Sequence, residues 1–87
     1  MPYIAKHRRK DLDELPLKEA GHKCMSVGEL CYCIYMLMIQ YARENGRSFT
    51  IFSSCTTAAR HAIAEFDRKI VNPYEDEKIH ENGDIRL

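Results

Sequence analysis

The sequence predicts an all-α protein: an antiparallel two-helix core with a short helix at each end, assembled into a homo-oligomeric bundle. Three observations carry this expectation. The apolar stretch from Ser26 to Gly46 holds start and stop signals at its two ends. A second stretch at helical spacing, Phe49 to about Val71, follows the two-residue link Arg47-Ser48, which is short enough to set the two helices antiparallel. The first stretch is apolar on two sides, so its own chain or another copy must cover both.

Met1-Pro2-Tyr3-Ile4 is held extended by its proline and is apolar enough to lie across a core. Lys6 to Asp11 reads as a polar connection or a frayed turn. Asp11-Leu12-Asp13-Glu14-Leu15-Pro16 brings acidic groups and a proline to the start of a short first helix. Pro16 fits the first turn, where its missing N–H costs nothing. Leu17 and Ala20 then face inward, and Gly21 ends or bends the segment.

In the central stretch, Ser26 with Glu29 three residues later forms a capping-box pattern. Gly46 supplies the backbone freedom that closes the other end. Val27, Leu30, Cys31, Ile34, Leu37, Met38 and Tyr41 make one stripe on a helical wheel, expected to pack on the rest of the chain. The opposite face carries Tyr32, Cys33, Met36 and Ile39 among Glu29, Gln40 and Arg43. Tyr32, Met36 and Ile39 are the expected oligomer contacts. The segment is too short and too interrupted by polar groups to span a bilayer.

The second long helix presents Ile51, Phe52, Cys55, Ala58, Ala59, Ala62, Ile63, Phe66 and Ile70 inward. Small residues in its middle let the large side chains of the central helix approach closely. Ser53, Ser54, Thr56 and Thr57 could instead keep the part before Thr57 extended. Its outer face holds Arg60, His61, Arg68 and Lys69, with Glu65 four residues from both His61 and Lys69. That face is either solvated with local ion pairs or an anion pocket completed by Arg8 and Arg9 or by a neighbouring copy. Asn72-Pro73-Tyr74-Glu75 reads as a helix start, breaking the long helix before a short acidic one anchored by Tyr74 and Ile79. Asn82-Gly83 ends it.

Composition limits the functional classes. The chain has 87 residues, read as one domain over 1–87, with thirteen basic and thirteen acidic side chains that cancel. No global field draws in nucleic acid. Charge is segregated, with Lys6, Arg8, Arg9 and Lys10 early and Glu75, Asp76, Glu77, Glu81 and Asp84 late. The two runs attract each other or are solvated, in preference to forming a binding patch. No apolar segment follows the basic start as in a signal peptide, so an intracellular protein with reduced thiols is expected. Cys24, Cys31, Cys33 and Cys55 have no zinc spacing, and His22-Lys23-Cys24 lacks a matching second pair, so neither metal nor cofactor is expected. Inert, buried thiols are the expectation. The acids of the last helix lack the alternating oxygen ligands of a calcium loop.

The opening Met1-Pro2-Tyr3-Ile4, the central Gly28-Glu29-Leu30-x-Tyr32 and the ending Val71 to Asp84 resemble a family of small uncharacterised proteins of tailed bacteriophages. The ending, with Tyr74, Glu75, Asp76, Lys78, Asn82, Gly83 and Asp84, is the most specific part. The chain departs from that pattern at Cys31, where Asn is expected, and in the Ser/Thr/Cys-rich entry to the second long helix. The resemblance implies a phage accessory protein acting in a bacterial cytoplasm, and it brings no catalytic residues. The expected function is a non-enzymatic oligomeric binding module. It would hold a host protein or sequester a small anionic ligand such as a nucleotide-type defence signal, through Arg8, Arg9, Arg60, His61 and Arg68. The alternatives are a small metal-assisted enzyme using acids of the last helix, or a structural assembly protein.

Overall fold

The computed structural model describes residues 2–85; of the opening motif, Met1 lies outside them. In chain order the described helices are α1 (Lys6–Asp13), α2 (Leu17–Lys23), α3 (Val27–Asn45), α4 (Phe49–Phe66), a π-helical turn (Asp67–Val71) and α5 (Asn72–Asn82). The fold is all-α.

α3 starts where its caps dictate. The Ser26 hydroxyl accepts the Glu29 N–H at 3.2 Å, and the Glu29 carboxylate reaches back to the Met25 N–H at 3.1 Å. That return bond falls one residue earlier than in the standard capping box. At the far end Asn45 donates its side-chain amide to the Tyr41 carbonyl at 2.9 Å, and Gly46 takes a φ of 94° that side chains disfavour. α4 begins at once: Ser48 accepts the Ile51 N–H, so the Ser/Thr-rich entry is helical from Phe49. Ser54 and Thr56 bond back to the carbonyls of Thr50 and Phe52, which keeps their hydroxyls satisfied within the helix.

The two ends of the chain correct the sequence reading. Lys6 to Asp11 belongs to a helix, held by N–H bonds of Arg8 and Arg9 to the Ala5 carbonyl. Pro16 sits one position before the first residue of α2 instead of inside its first turn, and α2 runs through Gly21 to Lys23. Leu17 and Ala20 are exposed, not inward. No break separates the second long helix from the last one. Asn72 has helical dihedrals and makes no side-chain cap, and the backbone stays helical from Phe49 to Asn82.

The π-helical turn explains how a proline fits. Pro73 has no N–H for the Lys69 carbonyl, and in an α-turn its ring would press on that oxygen. Lys69 lies in the π-helical turn, where the Asn72 N–H bonds to Asp67, five residues back. The wider turn takes up one residue and relieves the clash without ending the helix.

Among the described residues the most covered packing lies in the α3–α4 hairpin. The best-covered residues are Ala42, 5% exposed, and Cys55, 8% exposed. Met38 and Ile39 on α3 and Ile51 and Ala59 on α4 are half-buried beside them. Cys55 donates its thiol to the Met38 carbonyl at 3.5 Å. The contact edge of α3 is therefore Met38, Ile39 and Ala42. The stripe expected to face inward stays mostly open: Val27, Leu30, Cys31, Ile34, Leu37 and Tyr41 are exposed, as are Phe52, Ile63, Phe66 and Ile70 of the α4 run. Tyr74 and Ile79 are likewise exposed and not buried as anchors.

Global dimensions agree with this. The Cα radius of gyration is 16.6 Å, against about 12 Å for a compact domain of this length. The accessible surface is 8092 Å², about half as much again as the roughly 5,300 Å² of a compact monomer of this mass.

Candidate functional site

Two surfaces on the hairpin carry the chemistry. The first is polar, where the N-terminal segment crosses the end of α4. Glu65 is a largely covered carboxylate on α4, and Arg68 donates to its Oε1 from Nε at 3.0 Å and Nη2 at 2.5 Å. The Tyr3 hydroxyl donates to the same oxygen and accepts from Arg68 Nη2 at 3.4 Å. Lys69 lies 5.3 Å from the Tyr3 ring centre, within cation–π range. Tyr3 is fixed to the end of the α4 run by this polar tie and not by apolar packing, and Ile4 is exposed.

The bonds from Arg68 and then from Tyr3 hold the Glu65 carboxyl below its ordinary value of 4.5 and raise Arg68 further. The ionised carboxylate therefore favours the folded tie at any pH above 4.5, and the contribution is lost as pH falls through the depressed value. Acidification below that range should free Tyr3, read as a pH-dependent change in its ring resonances by NMR. Glu65→Gln should remove the titration; a titration that persists in this variant would show that Glu65 is not its source.

The arginines expected to form an anion pocket do not converge. Arg68 is committed to Glu65, Arg8 pairs with Asp11 at 2.9 Å, and Arg9 donates to the Ile4 carbonyl at 2.9 Å. Arg60 enters no ion pair or hydrogen bond among the described residues. His61 lies at one end of an open groove of about 500 Å³ along α4, with Phe49, Thr50, Ser53 and Thr57. No other helix contributes to its lining.

The acidic and basic runs at the two ends form no ion pair with each other among the described residues; the pairs formed lie within helices. Lys78 bonds Glu81 at 3.1 Å and sits 5.5 Å from the Tyr74 ring. Glu75 and Asp76 are exposed, and Gly83 closes α5 with a φ of 84° and an N–H bond to Ile79. The Asp84 carboxylate accepts the Ile85 N–H at 2.7 Å. These bonds give Lys78, Gly83 and Asp84 of the terminal signature local structural roles.

The second surface is apolar. A groove of about 400 Å³ opens between α3 and α4, lined by Ile34, Leu37, Met38 and Tyr41 on one side and Ser54, Cys55, Ala58 and Ala59 on the other. Leu37 is 60% exposed at its rim, and Ile63 and Phe66 continue the apolar surface along α4 at similar exposure. Of the three expected oligomer contacts, Tyr32 is 63% exposed and Met36 is exposed, whereas Ile39 is half-buried on the α4 side. The larger open surface is the stripe that sequence periodicity assigned to the core. Among the described residues no helix is long and apolar enough to cross a membrane.

The thiols divide three ways. Cys55 is buried, Cys31 is exposed, and Cys24 and Cys33 lie 3.7 Å apart. The last juxtaposition was not visible in the sequence, because it crosses the turn between α2 and α3.

A family model described as a domain of unknown function (DUF6899) matches residues 1–85. No curated protein and no solved structure matches the chain.

Proposed function

The chain belongs to the DUF6899 family, whose description assigns no activity, and from its surfaces we propose that it is a homo-oligomeric binding module. A second copy covers the stripe of Leu30, Ile34, Leu37 and Tyr41 together with the α3–α4 groove. The observation that carries this reading is the surface excess: the isolated chain exposes 8092 Å², roughly 2,800 Å² above a compact monomer of its mass. A stable partner interface covers about 800 Å² per chain, and obligate ones cover more. Exposed aromatic side chains such as Tyr41 are of the type enriched in such contacts.

Ligand capture follows from assembly in this reading. The groove beside His61 is walled by α4 alone, so a facing copy would supply its other side. Arg60, next to His61 in the chain although outside the lining of that groove, is the arginine left for an anionic ligand of nucleotide type, since Arg8, Arg9 and Arg68 have intrachain partners. A host protein seated on the same apolar surface is the second form of the module. The likeness to tailed-phage proteins supports an accessory role in the bacterial cytoplasm. Native mass spectrometry of protein purified gently from a bacterial lysate tests the proposal. A homo-oligomer retaining a nucleotide-sized mass supports it, with loss of that mass in Arg60→Ala. A strict monomer, unshifted in melting temperature across a nucleotide panel, overturns it.

A further inference from the structure

Cys24 and Cys33 form a second, independent feature. Cys24 closes α2, with its N–H bonded to the Ala20 and Gly21 carbonyls and its backbone already extended. Cys33 stands in the second turn of α3. Their sulfurs lie 3.7 Å apart, and both residues are half-buried. The thiols face a groove whose other lining residues include Ala20, Lys23, Glu29 and Tyr32. Solvent and a small reagent therefore reach them. Closing the pair to a bond of about 2 Å needs a shift of under ~2 Å. The neighbouring connection can supply it, because Met25 beside Cys24 is almost fully exposed.

We propose that Cys24 and Cys33 are a redox-active dithiol that closes to a disulfide by exchange with a low-molecular-weight disulfide such as oxidised glutathione. One cysteine, as the thiolate, attacks a sulfur of the incoming disulfide. The S–S bond of the reagent breaks, one thiolate leaves, and a mixed disulfide remains on the protein. The second cysteine, as its thiolate, attacks the protein sulfur of that mixed disulfide and expels the other half as a thiolate. Two protein protons and two electrons are given up, and one reagent disulfide becomes two thiols. The product fastens α2 to α3 across a short loop.

Chemistry of the site fits a pair that is stable when reduced. The mutual bond, burial and the Glu29 carboxylate all hold the Cys24 thiol above its ordinary value, so the first exchange is slow at neutral pH and speeds up in mild alkali. The other two cysteines do not compete: Cys55 is buried on α4 with its thiol bonded to Met38, and Cys31 projects from another side of α3.

The test uses the full-length reduced protein equilibrated in oxidised and reduced glutathione, quenched with acid and read by intact mass. The expected result is loss of two hydrogens, with any retained glutathione confined to the exposed Cys31 and absent from Cys31→Ser. Cleavage after Glu29 should then yield the segments bearing Cys24 and Cys33 as one linked species. Cys31→Ser should leave this closure intact, and Cys33→Ser should abolish it and leave a glutathione adduct on Cys24. Closure that survives Cys33→Ser, or a Cys31→Ser protein that stops at a glutathione adduct, overturns the proposal.

Discussion

Leu37→Asp should reduce the assembled protein to monomers. Leu37 lies at the rim of the α3–α4 groove, 60% exposed in the single chain, and the proposed assembly buries it. The substitution removes about 2 kcal/mol of apolar burial and forces a carboxylate into a contact with no cation among the groove residues. At a two-fold interface the change occurs twice. Together these weaken association by at least about a hundredfold. Sedimentation velocity at micromolar concentration reads the result, with Lys18→Asp on exposed α2 as the control that keeps the wild-type mass. An unchanged mass for Leu37→Asp would place the interface elsewhere.

Cys55→Asp should disrupt the hairpin itself. Cys55 is 8% exposed and donates to the Met38 carbonyl. Aspartate puts an acceptor against that acceptor, with Ile34, Leu37, Ala58 and Ala59 around it. A buried, unpaired charge of this kind costs roughly 3 kcal/mol or more. That is a large fraction of the stability of a chain with so few covered residues. Cys55→Ala, which loses only a weak bond and one sulfur, should cost about 1 kcal/mol. Thermal unfolding followed by circular dichroism separates the two. Equal melting temperatures for both variants would show that the site tolerates charge and that the hairpin contact contributes little.

The parts of the fold that were legible in the sequence are those fixed by local bonds. Ser26, Glu29 and Gly46 define α3 because each acts on groups within four residues. Ser48 defines the start of α4 in the same way, which resolved the ambiguity before Thr57. The parts that were not legible depend on distance or on competition. Asn72-Pro73 carries the same residues as a helix start, and only the wide turn upstream makes it the interior of a longer helix. Lys6 to Asp13 shows no apolar periodicity, so nothing marked α1. Helical spacing identified Leu30, Ile34, Leu37 and Tyr41 as one stripe, but spacing cannot say whose surface meets it. Of the candidate site, the arginines were recognisable as cations; their partners Glu65, Asp11 and Ile4 decide which of them is free, and the tie to Tyr3 lies 65 residues from Arg68 in the chain. The thiol pair was missed for the same reason.

The extra residue in the turn at Asp67–Val71 also acts as a phase slip. It sets every side chain of α5 back by about 100° from where an unbroken α-helix would carry it. The rod from Phe49 to Asn82 thus has two independent azimuths, and a partner lying straight along α4 cannot read α5 in the same register. Deleting a single residue there, with the turn closing to α geometry, would leave Tyr74 and Ile79 on their present bearing, because the lost residue cancels the lost slip. Return of this turn to α geometry at unchanged length would instead swing the acidic end by that angle without altering its composition.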